Sequence, residues 1–110
     1  MGAFAKQDIV LYPFPFTDLS ARKLRPCLVL SSMMGQDILL CQMTSRRLSA
    51  DTYSVEVAKH DTQDGTLHID SYVRANMLFT AESSQIVRKI CHLKTAKYSE
   101  IVRKIVKMIS

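Results

Sequence analysis

The stretch Arg25-Pro26-Cys27-Leu28-Val29-Leu30-Ser31 constrains the fold more than any other. Cys27 to Leu30 are consecutive apolar, β-prone residues with no polar face to turn to water. A strand built on them has to be covered on both sides. A lone hairpin cannot do that, so the chain has to supply neighbouring strands and a second layer. Its 110 residues suffice. A domain of that size buries roughly two-thirds of the surface of its unfolded chain. With 47% hydrophobic residues, disorder is excluded. The expectation is one domain, residues 1–110, folding without metals or disulfides.

Strand candidates flank this run on both sides. Asp8-Ile9-Val10-Leu11-Tyr12 reads as a first strand. Pro13 and Pro15 cannot donate to a ladder, so they end that strand or place it at a sheet edge. Phe14 and Phe16 alternate with the prolines and read as core or loop-packing residues. Residues 17–24 read as an exposed polar loop whose basic end, Arg22-Lys23-Leu24-Arg25, suits phosphate. The second strand is then 26–32. Met33-Met34-Gly35-Gln36 is a turn, and residues 37–44 complete a hairpin.

Residues 45–51 form a polar loop with Arg46 and Arg47 adjacent. In 52–57 polar and apolar residues alternate, with Tyr53, Val55 and Val57 on one face, as in a half-buried strand. Residues 60–65 are turn-rich. Residues 67–74 and 76–80 are β-like and form one bent strand or two. A helical turn at 82–85 and a last strand at 86–93 follow. Thr95 suits a helix N-cap, and Tyr98, Ile101, Val102, Ile105, Met108 and Ile109 recur at helical spacing over 96–109. The pentapeptide Ile-Val-Arg-Lys-Ile occurs at 86–90 and again at 101–105, once in the expected strand and once in the helix. Flanking pattern decides its conformation, so it is not a structural repeat. The expected fold is mainly β with a C-terminal helix: a small antiparallel barrel or strongly curved sheet.

Charge and cysteine usage narrow the function classes. Net charge is +5, and it is uneven. Residues 86–110 carry seven Lys/Arg against one acid, Glu100, while the rest of the chain is close to neutral. Such a surface is a solvated basic face or a polyanion contact. The three cysteines, Cys27, Cys41 and Cys91, have no ligand spacing, and Cys27 and Cys41 sit in apolar runs. They read as buried thiols of a reducing compartment. No signal peptide and no membrane-length apolar run are visible, so the expected location is cytoplasmic, with no membrane partner.

The blocks Asp8-Ile9-Val10, Pro13-Phe14-Pro15-Phe16-Thr17-Asp18-Leu19-Ser20, Arg25-Pro26-Cys27-Leu28-Val29-Leu30-Ser31 and Cys41-Gln42-Met43-Thr44-Ser45 resemble the PemK/MazF family of toxin endoribonucleases. The resemblance continues through Ser71-Tyr72-Val73-Arg74 and Arg88-Lys89-Ile90-Cys91-His92-Leu93 into the helix, over nearly the whole chain. It implies an SH3-like barrel of the CcdB/PemK type, a homodimer and a cognate antitoxin. It also implies cleavage of single-stranded RNA, often mRNA, at short sequences, with no metal or organic cofactor. The chain departs from the family's habits at Gln7 and Cys91, where Gly is common, and mildly at Met43, where Ile is common.

Metal-free RNA cleavage proceeds by attack of a 2′-OH on the adjacent phosphorus, leaving a cyclic phosphate. The resemblance implies Arg25 and Thr44 as catalytic residues. Arg25 suits charge stabilisation, because a planar fork of donors holds two phosphate oxygens at once. A guanidinium with a pKa above ~12 is a poor proton carrier, which leaves stabilisation and positioning as its main work. Thr44 can donate its hydroxyl to a phosphate oxygen, and Ser20 and Ser45 are weaker candidates for the same task. Arg22, Lys23, Arg46 and Arg47 suit neighbouring phosphates, and Phe16 suits base stacking. A pair among His60, His68 and His92 offers an acid and a base, but no motif places them together and the resemblance does not imply them. Two alternatives share the barrel: a non-catalytic module binding a partner protein or RNA, and an inactive member kept for antitoxin binding.

Overall fold

The structure, a computed structural model, describes residues 4–15, 22–46 and 52–110. Seven strands make one antiparallel sheet: β1 (Asp8–Pro15), β2 (Arg22–Val29), β3 (Asp37–Thr44), β4 (Ser54–Val57), β5 (Thr62–Gln63), β6 (Ser71–Glu82) and β7 (Arg88–Leu93). One helix follows, α1 (Thr95–Ile109). The strands run in the order β4-β6-β3-β2-β1-β7-β5 and curl into a nearly closed barrel. Among the described residues, no helix is long and apolar enough to cross a membrane.

The apolar run of β2 is buried on both faces, as its sequence requires. Leu28 joins Ile9, Cys41, Met43, Val73 and Leu93 in one core, which α1 closes with Ile101 and Ile105. Cys27 and Val29 join Val10, Ile38, Leu40 and Ala81 in a second core. Tyr98 ties the helix to the sheet by donating its hydroxyl to the Leu30 carbonyl at 3.3 Å. The β2-to-β3 turn is as expected, with Gly35 at φ +68 and a bridge from Met34 to Asp37.

Several boundaries move, each for a tertiary reason. β1 continues through both prolines. It pairs with β7 only from Asp8 to Leu11 and with β2 alone from Tyr12 onward, so Pro13 and Pro15 lie along an edge and interrupt no ladder there. This pairing extends β2 back to Arg22, so Arg22 to Arg25 are strand residues and not the end of a loop. β4 begins at Ser54, which leaves Tyr53 outside the strand and 42% exposed, not on the buried face. β5 lies in the stretch expected to be turn only. Residues 71–82 form one strand, with a register shift against β3 between Cys41 and Met43. β7 starts at Arg88, two residues later than its pattern suggests. The helix cap is Lys94 without a side-chain bond, and Thr95 Oγ1 instead accepts from Gln7 Nε2 at 3.3 Å. Ile109 is exposed at the helix end.

Gln7, the first departure from the family's habit, has φ +80. A side chain there costs about 1 kcal/mol in backbone strain. Its amide offsets that by donating to the Leu93 carbonyl at 2.9 Å as well as to Thr95. Next to it, Asp8 is buried. Its Oδ1 lies 2.8 Å from His92 Nδ1 and 3.3 Å from Lys89 Nζ, and its Oδ2 accepts the Ala5 N–H at 3.0 Å. Burial pushes this carboxyl up, but the Ala5 amide, His92 and Lys89 outweigh it and hold the pKa below its usual 3.8.

Candidate active site

One groove brings the two foremost expected site residues together. β1 and β2 pair Tyr12 with Arg25. β2 and β3 pair Val29 with Leu40, Leu28 with Cys41, and Cys27 with Gln42. The ladder ends there, two residues short of Arg25 on β2 and of Thr44 on β3, so both lie just past its end. Both line one open groove of about 680 Å³. Lys23, Leu24 and Pro26 of β2, Met43, Ser45, and Leu11 of β1 complete its near side. Its far side is Arg88 and Ile90 of β7 together with Thr66, Leu67, His68, Ile69 and Ser71 from the β5-to-β6 connection.

The groove suits an anion. Lys23, Arg25 and Arg88 bring three cations to it, and none of the described residues lining it is an Asp or Glu. Low-dielectric walls and one sign of charge concentrate the field there. Pro26 is tolerated inside β2 because the ladder to β3 begins only at Cys27. Thr44 Oγ1 accepts the Arg46 N–H at 3.1 Å. That bond uses an oxygen lone pair and leaves the hydroxyl proton for a ligand. Beside Arg25, its cross-strand neighbour Tyr12 packs against Phe14 and Phe79, with ring centroids 5.3 Å from each.

The expected site residues therefore divide. Arg25, Thr44, Lys23 and Ser45 meet at one groove. Arg46 is exposed and holds Thr44 through its backbone. Arg22 opens β2 opposite Pro15. Ser20, Arg47 and Phe16 lie outside the described residues. The far side, with Arg88 and the stretch from Thr66 to Ser71, was not expected at the groove, because only the pairing of β6 with β3 and of β7 with β1 brings it round. The one local hint was the turn signal Asp64-Gly65 just before it.

The histidines form no pair. His60 lies 3.6 Å from Asp61 and His92 faces Asp8, while His68 alone of the three lines the groove. A cysteine nucleophile is excluded. Cys27, Cys41 and Cys91 are buried and free, and burial pushes the first two thiols up to about 12 and Cys91 to about 11. Among the described residues, no three His, Cys, Asp or Glu side chains converge as a metal site. A larger concavity of about 860 Å³ lies between β4 and α1, where Arg103, Lys104 and Lys107 are accompanied by Glu56 and Glu100. It contains neither Arg25 nor Thr44.

Residues 5–109 match the family of PemK-like, MazF-like toxins of type II toxin–antitoxin systems. The chain belongs to this family. No curated protein matches it. Its fold is that of solved MazF-type structures. It is similar to the MazE–MazF complex of Deinococcus radiodurans in two crystal forms. The first has a TM-score of 0.76 at 18% identity, covering 100% of this chain and 98% of that one. The second has a TM-score of 0.79 at 18% identity, covering 98% and 97%. It is also similar to an endoribonuclease from a mycobacterial species, with a TM-score of 0.73 at 16% identity, covering 99% and 93%. A further neighbour is an endoribonuclease in complex with its cognate antitoxin from a mycobacterial species, at 15% identity and a TM-score of 0.73, covering 99% of this chain and 95% of that one. The barrel and its PemK/MazF membership are thus fixed together.

Proposed function

We propose that this toxin is an endoribonuclease that cuts single-stranded RNA at a short sequence by 2′-OH attack, without a metal. One observation carries the proposal. Arg25 and Thr44, each just past the end of the β2–β3 ladder, line one groove that holds three cations and no described carboxylate. In the reaction the 2′-oxygen bonds to phosphorus, the bond to the 5′-oxygen breaks, and a 2′,3′-cyclic phosphate and a 5′-hydroxyl form. Extra negative charge gathers on the phosphorane oxygens. Arg25 is suited to hold two of them, and donors aimed at developing charge are worth roughly 10²–10³-fold each in rate. Thr44 donates its remaining hydroxyl proton to a phosphate oxygen. Lys23 and Arg88 hold the flanking phosphates.

The antitoxin partner is supported by the antitoxin complexes of structural neighbours. An acidic antitoxin segment covering this groove competes with RNA. A homodimer in the cytoplasm completes the reading. The test is induced expression of wild type and Arg25→Ala without antitoxin. Wild type is expected to arrest growth and cut transcripts at one short motif, and Arg25→Ala to do neither. Wild-type protein that leaves RNA intact overturns the proposal.

A further inference from the structure

The proposed chemistry leaves one step without an owner. The 2′-hydroxyl has to give up a proton as its oxygen attacks. Arg25 cannot take it, because a guanidinium stays protonated throughout the working range. Lys23 and Arg88 are cations with no acceptor, and Thr44 and Ser45 are hydroxyls that are themselves weak bases. Among the groove's described lining residues, His68 is the one side chain of a type that exchanges protons around neutral pH.

The β5-to-β6 connection presents His68 from three anchors. Gly65, at φ +138, presses against the carbonyl of Ile90, so close that a Cβ there would collide with it. Leu67 is buried in the same core as Leu28 and Ile101. Ser71 is buried and donates its hydroxyl to the Ile69 carbonyl at 2.9 Å. Between these anchors, His68 and Ile69 are left exposed at the groove. An exposed imidazole on an anchored loop, lining the same groove as Arg25 and Thr44, is placed for work on substrate and not for packing.

We propose that His68 is the general base of the reaction, a role that rests on the nuclease reading above. A ring nitrogen of His68 accepts the 2′-hydroxyl proton as the 2′-oxygen bonds to phosphorus. The departing 5′-oxygen takes a proton from water, which the open groove admits, and the imidazolium returns its proton to solvent. Atoms and charge balance without any further reactant. The charged groups that line the groove with His68 are Lys23 and Arg25 of β2 and Arg88 of β7, and Asp70 lies two residues along its own loop.

The test is single-turnover cleavage of a short RNA by the full chain across pH, for wild type, His68→Gln and His68→Ala. General base catalysis is worth roughly 10²–10⁴-fold. Both variants should lose about 100-fold or more, and the fall in wild-type rate towards acid pH should vanish from their profiles. Free imidazole should restore part of the His68→Ala rate. Affinity for the same RNA with a 2′-deoxy residue at the cut should hold within about 2-fold, showing an intact groove. Wild type that cleaves while His68→Gln keeps its rate and pH profile overturns the assignment and spares the nuclease reading. Wild type that does not cleave overturns both.

Discussion

Arg25 shows how little a single charge does without its setting. Ahead of an apolar run it is an ordinary strand-flanking cation, and the fold sets it in one groove with Thr44. Arg25→Lys keeps the charge and loses the fork, so cleavage should fall about 10²-fold or more with little change in RNA affinity. Single-turnover rates set against binding of an uncleavable RNA check this. At Gln7 the expectation concerns stability. Gln7→Ala keeps the strain of φ +80 and loses both amide bonds, and should cost about 1–2 kcal/mol, while Gln7→Gly relieves the strain and should be close to neutral. Denaturant midpoints separate the two. Asp8 sets the acid limit. Its folded-state pKa lies below the unfolded value, so its contribution is complete above about pH 4 and is lost as pH falls through the folded value. Melting temperature should drop in that acid range for wild type, and Asp8→Asn, already less stable, should show a smaller drop.

Elements were legible where pattern is local. β3 matched its expected bounds, because alternation and Gly35 mark both ends. The two-sided burial of β2 was written in its unbroken apolar run. Its first residues were not, since Arg22 to Arg25 look like loop and become strand only against Pro13 to Pro15 of β1. β5 has two residues, too few to carry a period, and exists through its pairing with β7. The groove follows the same division. Arg25, Thr44, Lys23 and Ser45 lie in readable blocks, whereas Arg88 and the stretch from Thr66 to Ser71 arrive by long-range pairing. Gly65 is the joint that seats this stretch. Gly65→Ala should cost at least about 2 kcal/mol in denaturant unfolding, because its Cβ would strike the Ile90 carbonyl at a strained φ.

At the scale of the molecule, the sheet keeps an apolar core on each face and gathers three cations at one groove. That division separates what holds the fold from what the proposed nuclease would present to RNA. Groove cations should appear as counterion release. Three neutralised phosphates on a single strand give a slope of about −2 in log affinity against log salt. Arg88→Gln should reduce the slope by about 0.7 and leave the melting temperature unchanged, since the side chain is exposed. The decisive measurement is the cleavage rate of wild type, Arg25→Ala and Thr44→Val on one RNA, with binding of its 2′-deoxy counterpart measured alongside. Wild type should cut at a defined site, and both variants should lose about 10²-fold or more in rate while staying folded and still binding RNA. Equal rates in the three proteins, or intact RNA with wild type, would contradict a site built on Arg25 and Thr44.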